Sequence, residues 1–307
     1  MGRGPPAPSG RPGRRPLPRR TACDPMVPRA VTDLQLVTAA ASSIYSTPRD
    51  MARYLATLSA GGTNEQGSVF KPETLATMFE PLYQPDPRVP GIGPGFFRID
   101  LGRHPAVEHQ GILPGLNSQI FVAPDDGVGV MAFTNGARRA LMWLTAEAGR
   151  LLCHLVGARD EMIRTDVPHH PEMWGDICGW YQPRAQRTDL QVWSMVGAGA
   201  EVFVRHGRLM ARALSPMPAL YRGFLLHPDD EQDPYVFRID LSEYGMGTGR
   251  VVFNRLPGVG TTSIHLDLAP LSLERRLASK NQRLWATGAL GLATAAIAVR
   301  RGGATLR

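Results

Sequence analysis

The sequence predicts an α+β fold, in which an antiparallel sheet packed with helices is followed by a small all-β, barrel-like domain. Three observations predict it. A helix start is marked at Thr47, a turn sequence joins two strand-like runs at residues 124–127, and short alternating runs fill residues 174–272. A chain of 307 residues is long enough for about two such domains.

The first helix is predicted from Pro48 onward. Thr47 can accept a hydrogen bond at the helix start, and proline suits the first helical position because that position needs no N–H donor. Gly61-Gly62 is expected to end the helix. Residues at helical spacing give it one apolar face, formed by Met51, Tyr54, Leu55 and Leu58.

The segment after this helix predicts a second short helix from Pro72 and then a sheet. A Pro- and Gly-rich stretch predicts a loop at residues 81–95, and Pro124-Asp125-Asp126-Gly127 is a strong turn sequence between two strands. The strands are expected at 95–101, 118–123 and 128–134, and an Ala- and Leu-rich closing helix at 137–156.

The chain divides into five predicted segments. Charges, paired histidines and prolines interrupt the pattern at residues 158–173, and turn sequences such as His206-Gly207 separate the short strands after it. The segments are a disordered Arg/Pro-rich stretch at 1–32, an α+β part at 33–157, a linker at 158–173, the all-β domain at 174–272, and a basic tail with a short apolar segment at 273–307.

The basic charge of the chain is concentrated in its two ends. Residues 1–32 contain seven Arg and one acid, and residues 274–307 contain seven basic residues and one acid. Removing both ends from the net charge of +7 leaves about −5 for the middle of the chain. The sequence therefore gives no support to a nucleic-acid-binding groove in the folded part.

The apolar segment at residues 284–299 has 16 uncharged residues with arginine on both sides. A membrane span needs about 20 apolar residues, with a lower limit near 17. We favour a packed or loose terminal helix and leave open a weak membrane association. No secretory signal is predicted, because no apolar run follows the basic start, and the localisation stays undetermined.

The cysteine and histidine pattern predicts no metal site and no cofactor. The three cysteines are widely spaced and fit small apolar core positions. His169-His170 has no partner at metal-ligand spacing, and Cys153-His154 would point to different faces of a helix.

An ordered set of short motifs lies between residues 42 and 135. In order and spacing it resembles the C-terminal part of the serine β-lactamase-related family, over about residues 40–155. That family includes class C β-lactamases, DD-peptidases and penicillin-binding-protein-like esterases. The resemblance implies that residues 33–157 form part of a β-lactamase/transpeptidase-like sheet. The motifs are Ile44-Tyr45-Ser46-Thr47-Pro48-Arg49-Asp50-Met51-Ala52, Phe70-Lys71-Pro72-Glu73-Thr74-Leu75, His109-Gln110-Gly111-Ile112-Leu113-Pro114-Gly115, Pro124-Asp125-Asp126-Gly127-Val128-Gly129-Val130 and Phe133-Thr134-Asn135.

The resemblance also implies the candidate site residues. The family's third active-site motif is Lys-Thr-Gly or His-x-Gly on a strand at the edge of the site, and His109-Gln110-Gly111 matches the second form. His109 would supply a hydrogen bond or a proton, since histidine changes charge near neutral pH. Gln110 and Gly111 would contact the substrate, and the backbone N–H of Ile112 would be one of two oxyanion-hole donors.

The family's first two motifs, Ser-x-x-Lys and Tyr-x-Asn, have no convincing match. Ser68-Val69-Phe70-Lys71 fits the first by letters, but Pro72 disfavours helical geometry at Lys71, so the serine and the lysine would not share a helical turn. The other lysine, Lys280, has Leu277 three residues earlier. The sequence therefore predicts a truncated and catalytically incomplete family member.

Three functions stay open on the sequence alone. The chain is a family remnant without hydrolase activity, or half of a two-chain serine hydrolase whose complementing chain supplies the missing motifs. The third alternative is a membrane-anchored binding module, in which residues 174–272 bind and residues 284–299 tether. The resemblance implies a small acyl substrate, which would be a lactam, a peptide or an ester.

Overall fold

The computed structural model describes residues 44–101, 104–113, 115–135, 140–158, 162–183, 199–215, 218–244, 247–267 and 271–282. The predictions for residues 1–32 and 284–299 lie outside these ranges. Within them, no helix combines the length and the apolar character needed to cross a membrane.

Helix α1 (Pro48–Ser59) begins where the sequence predicts. The Thr47 hydroxyl accepts a hydrogen bond from the Asp50 backbone N–H at 3.2 Å and donates one to the Asp50 carboxylate at 2.7 Å. These bonds satisfy an N–H group that the first turn of a helix leaves free. Leu55 and Leu58 are buried, which confirms the predicted apolar face.

Two small elements connect α1 to the sheet. Strands β1 (Thr63–Asn64) and β2 (Gly67–Ser68) form a two-stranded hairpin. Helix α2 (Pro72–Phe79) follows and buries Leu75, as predicted.

A five-stranded antiparallel sheet forms the centre of the first half of the described chain. Its strands lie side by side in sequence order, so every neighbouring pair is a hairpin. The strands are β3 (Ile92–Gly93), β4 (Phe96–Leu101), β5 (His104–Leu113), β6 (Leu116–Ala123) and β7 (Val128–Thr134).

Both faces of this sheet are covered by helices. Side chains alternate between the faces along each strand, so Val122 and Phe121 of β6 point to opposite sides. Val122 packs with Leu58 of α1 in one buried cluster, and Phe121 packs with Leu152 in another. Leu152 belongs to helix α3 (Ala140–Val156), which covers the second face.

The second half of the described chain forms a nine-stranded antiparallel sheet in the order β11-β10-β9-β8-β16-β15-β14-β13-β12. Its first and last strands in sequence, β8 and β16, are therefore neighbours. The strands are β8 (Gly179–Pro183), β9 (Ala200–Arg205), β10 (Arg208–Ala213), β11 (Phe224–Leu225), β12 (His227–Pro228), β13 (Val236–Asp240), β14 (Thr248–Leu256), β15 (Gly260–Leu266) and β16 (Leu271–Arg276).

The nine-stranded sheet is nearly closed into a barrel. Its two outermost strands, β11 and β12, are consecutive in sequence and are separated only by Leu226. The Leu226 backbone N–H donates to the Leu209 carbonyl at 3.0 Å, which holds this junction against β10. The mixed helix and antiparallel sheet content, with a barrel-like sheet in the second half, confirms the coarse fold prediction.

The structure differs from the predicted elements in three places. Strand β5 occupies residues 104–113, where side-chain alternation predicts no strand because polar residues lie on both faces. The predicted end of the all-β segment at residue 272 falls inside β16. That segment also holds two short helices, α4 (Trp174–Ile177) and α5 (Pro218–Arg222). The division into five segments otherwise stays a prediction.

The loop before β3 contacts the barrel. Arg88 binds the buried Asp86 carboxylate of the same loop at 2.8 Å and reaches Asp233 at 2.6 Å. It also donates to the Phe253 carbonyl of β14 at 3.1 Å. This loop therefore links the five-stranded sheet to the barrel through a partly buried ion network.

Candidate functional site

Strand β5 changes its pairing in the middle. Residues 104–108 pair with β4 on one side and, from Val107 onward, the strand also pairs with β6. Residues 109–113 pair with β6 only. Among the described residues, no strand pairs with the other edge of residues 109–113. The backbone groups of this edge therefore point outward, beside the first residues of β4. The predicted motif thus lies on an open strand edge.

His109 is the first residue of this open edge, and its side chain is exposed. Its ring lies against Phe97 of β4, with centroids 6.1 Å apart and an interplanar angle of 30°. His109 pairs with Ile120 of β6, which in turn pairs with Met131 of β7. Directly paired residues of antiparallel strands share a face, so His109 lies on the face covered by α1.

Gly111 lies on the same face, two residues further along the strand. A β-carbon at this position would collide with the Ser118 hydroxyl oxygen on β6. Glycine therefore leaves the Ser118 hydroxyl in its place inside the sheet, besides the close substrate approach that the resemblance implies.

This contact gives a prediction for Gly111→Ala. The new methyl group forces Ser118 out of its position, and we expect a loss of about 1–2 kcal/mol in the free energy of unfolding. Adding Ser118→Ala should restore most of this loss, because the Ser118 β-carbon would still lie 3.7 Å away. Urea denaturation of the two single variants and the double variant measures the coupling. Simple additivity of the two single effects would contradict the steric explanation.

Gln110 and Ile112 point to the opposite face. Gln110 is half-buried opposite Gln119, and Ile112 is 44% exposed opposite Asn117. The structure therefore brings the four predicted residues onto one open edge, with His109 and Gly111 on one face and Gln110 and Ile112 on the other. Their roles toward a substrate stay predictions.

The residue before His109 was not predicted from the sequence. Glu108 is partly buried between the sheet and α3, and its carboxylate accepts a hydrogen bond from the Gln119 side-chain amide. The side-chain amide oxygen of Gln119 accepts a hydrogen bond from the Thr145 hydroxyl of α3 at 2.9 Å. Burial raises the pKa of Glu108 to about 7, although the hydrogen bond from Gln119 lowers it in part. The sequence does not indicate that the pKa of this glutamate is raised, because its burial depends on packing against α3, which lies far away in sequence.

The serine and lysine that match the family's first motif by letters do not share a helix. Ser68 ends β2, and Lys71 has extended backbone angles, φ −71° and ψ 140°, before α2. The Ser68 hydroxyl donates to the Phe70 carbonyl at 3.2 Å. This geometry agrees with the expectation that Pro72 keeps Lys71 out of a helical turn.

The other histidines singled out in the sequence are not brought together. His170 pairs with Glu172 at 2.9 Å, and His154 is exposed on α3. His104, which the sequence did not highlight, pairs with Asp126 of the β6–β7 turn at 2.8 Å. Within the described ranges, no three His, Cys, Asp or Glu side chains are grouped closely enough to hold a metal ion.

Comparison with known proteins defines the class. Residues 3–151 match the family model described as Beta-lactamase. This match confirms the resemblance to the serine β-lactamase-related family that the motifs carry. The matched segment starts ahead of residue 40 and ends within α3, so it contains the whole open edge of β5.

Matches among solved structures include two of low sequence identity. SurE with D-Leu is 15% identical, with 72% of this chain and 49% of that chain covered and a TM-score of 0.45. The octameric penicillin-binding protein homologue from Pyrococcus abyssi is 16% identical, with 74% and 46% covered and a TM-score of 0.32. The chain thus spans about half the length of each. The search of curated proteins gave no match.

Proposed function

We propose that this chain presents the substrate-binding strand of a β-lactamase-related serine hydrolase site and supplies no nucleophile of its own. The observation that carries the proposal is the open edge of β5 at residues 109–113. An unpaired strand edge offers backbone donors and acceptors to an extended acyl substrate. His109 stands exposed at the start of this edge.

The proposed roles follow from the position of each residue on the edge. His109 donates a hydrogen bond or a proton toward a reacting group, Gly111 leaves room above the strand, and the Ile112 backbone N–H stabilises a developing oxyanion. Gln110 contacts the substrate from the opposite face. The substrate class is a small acyl compound, which is a lactam, a peptide or an ester.

The absence of a nucleophile is supported by local geometry. Serine activation by lysine in this family requires both side chains on one turn of a helix. Ser68 and Lys71 are the only pair at this spacing in the sequence, and neither is helical in the structure. The family's Tyr-x-Asn motif is also missing from the sequence.

Covalent labelling tests this proposal. The purified chain is incubated with a fluorescent penicillin and, separately, with a fluorophosphonate, and its intact mass is measured. We expect no adduct, because Ser68 and Lys71, the only Ser-x-x-Lys pair in the sequence, do not lie on a helix. A working serine enzyme of the family is the positive control.

A stoichiometric adduct would overturn the proposal. Ser68→Ala then identifies the site, since loss of the adduct in this variant would mean that Ser68 is activated after all. An adduct that persists in Ser68→Ala would direct peptide mapping to another serine.

A second candidate is half of a two-chain hydrolase, and the far edge of the sheet favours it. Among the described residues, β7 pairs only with β6, so its other edge is also open. Helix α3, which packs beside β7, exposes three large apolar side chains. These are Trp143 and, beyond the exposed Glu147, Leu151 and Leu155 one turn apart, which are 45%, 49% and 52% exposed.

This candidate predicts a partner that carries Ser-x-x-Lys and Tyr-x-Asn and pairs with β7. Mixing the two chains should then give penicillin labelling of the partner that neither chain gives alone. A partner that labels equally well without this chain would rule out a shared site. Membrane anchoring through residues 284–299 stays a prediction.

A further inference from the structure

A partly buried polar relay lies directly behind the open edge of β5. Glu108 is the last residue of β5 that pairs with β4, and it immediately precedes His109. Gln119, which is fully buried, joins Glu108 of β5 to Thr145 of α3. The relay therefore connects the strand, its neighbour and the covering helix at the point where the open edge begins.

We propose that Glu108 is a positioning residue for the 109–113 edge, and that the relay holds this edge more firmly while the Glu108 carboxyl is protonated than while it is ionised. The proposal rests on the proposed role of β5 in substrate binding. It concerns how stably residues 109–113 are held in the sheet, however, and not the presence of a nucleophile.

The surroundings of Glu108 explain why its charge matters. Phe97 of β4 and Phe121 of β6 are its directly paired neighbours, and Gln119 and Thr145 complete the relay. Among the described residues none of these carries a charge, and the charged pair of α3, Glu147 and Arg150, is exposed and joined at 3.3 Å. His109 and Arg98 are the nearest titratable neighbours along the strands; both alternate to the opposite face, although the His109 ring also lies against Phe97. A buried carboxylate without a cation is costly, and the cost is removed by protonation.

The relay can satisfy both forms of Glu108 but with opposite hydrogen-bond directions. In the ionised form, Thr145 donates to the Gln119 oxygen and the Gln119 amide donates to the carboxylate. In the protonated form, rotation of the Gln119 amide lets the carboxylic acid donate to its oxygen while its N–H group donates to the Thr145 hydroxyl. Only the second arrangement leaves no charge buried behind the edge.

The sign of the pH dependence follows from the raised pKa. Glu108 has a pKa near 7 in the fold and a reference value of 4.5. At pH values between 4.5 and 7, Glu108 keeps its proton while the edge is folded and releases it when the edge opens to water. The edge is therefore most stable in mild acid and loses stability as the pH rises through about 7. Above pH 7 the loss is complete.

Hydrogen exchange of the full chain tests this inference. Protection factors of the backbone amides in residues 109–113 are measured by mass spectrometry between pH 5 and pH 8.5, after correction for the intrinsic exchange rate. We expect protection to fall by up to about a hundredfold across this range, as the shifted pKa requires for openings that expose Glu108 to water. The β14–β15 pair of the barrel should show no parallel fall.

Two variants make the test specific. Glu108→Gln keeps a neutral, hydrogen-bonding side chain and should hold the edge equally protected at pH 5 and pH 8.5. Glu73→Gln, at an exposed position of α2, is the matched control and should retain the wild-type pH dependence. Identical pH profiles for the wild type and Glu108→Gln would overturn the inference. The labelling result is independent, so either proposal can fail without the other.

Discussion

Replacing Phe253 by alanine is expected to lower the free energy of unfolding of the barrel by about 3–5 kcal/mol. Phe253 of β14 is fully buried at the centre of the barrel core. Its ring packs edge to face against Phe237 at a centroid distance of 5.6 Å and against Tyr181 at 6.1 Å. Removing it leaves a cavity between these two rings and also ends both aromatic contacts.

Urea denaturation followed by tryptophan fluorescence measures this loss, because Trp180 lies buried in β8 beside Tyr181. Phe133→Ala is the matched control, since the same change is made on a side chain that is 44% exposed on β7. A Phe253→Ala midpoint no lower than that of Phe133→Ala would contradict the central place of Phe253 in the core.

Arg238→Met is expected to lower the free energy of unfolding by a comparable amount, because it removes an ion pair with Asp229. Arg238 is buried on β13 and binds both carboxylate oxygens of Asp229 at 2.9 Å. Arg250 adds a third contact to Asp229 at 3.2 Å. Methionine removes the main partner and leaves the buried Asp229 with Arg250 alone, which we expect to cost about 3–5 kcal/mol at neutral pH.

This effect should depend on pH. Burial by itself raises the pKa of Asp229, but the hydrogen bonds and charge of Arg238, with Arg250, outweigh burial and lower the pKa below its usual value. The pairing therefore stabilises the fold above the unfolded pKa near 4 and is lost as the pH falls through the lower native pKa. The deficit of Arg238→Met should shrink accordingly in acid.

Thermal unfolding at pH 7 and at about pH 3 measures this difference. Arg205→Met, on an exposed position of β9, controls for the loss of an arginine. Asp229→Asn combined with Arg238→Met should recover part of the stability, because no buried charge remains. A deficit that is equal at both pH values would show that packing, and not charge, explains the loss.

Elements with local signals could be predicted from the sequence. Thr47 and Pro48 define the start of α1 by a hydrogen bond and a fixed backbone angle within four residues. His206 and Gly207 both adopt positive φ, 51° and 70°, as the predicted two-residue hairpin requires. Such features depend on neighbouring residues alone, so no knowledge of the tertiary fold is needed.

Strand β16 shows why other elements could not be predicted. Glu274, Arg275 and Arg276 look like the start of a basic tail, but Arg275 is bound by the barrel backbone. Its guanidinium donates to the Asp176 carbonyl at 2.7 Å and to the Cys178 carbonyl at 2.8 Å. These acceptors lie almost a hundred residues earlier, so charge composition could not reveal them.

The candidate site also has features that the local sequence predicts and others that depend on distant elements of the fold. The motif His109-Gln110-Gly111 was found by resemblance, and the structure places it on a strand with one open edge. The close approach of Ser118 to Gly111 and the partial burial of Glu108 come from β6 and α3. The short motif identifies which residues form the edge. The surroundings of these residues depend on β6 and α3, and the motif does not predict those contacts.

The neighbouring position of β8 and β16 determines when the barrel can form during synthesis. β8 ends at residue 183 and β16 begins at residue 271, so the barrel closes only after residues 271–276 have left the ribosome. The five-stranded sheet consists of consecutive hairpins and can assemble strand by strand as it emerges. Contacts between distant segments slow folding, so the barrel is the late-folding half of this polypeptide.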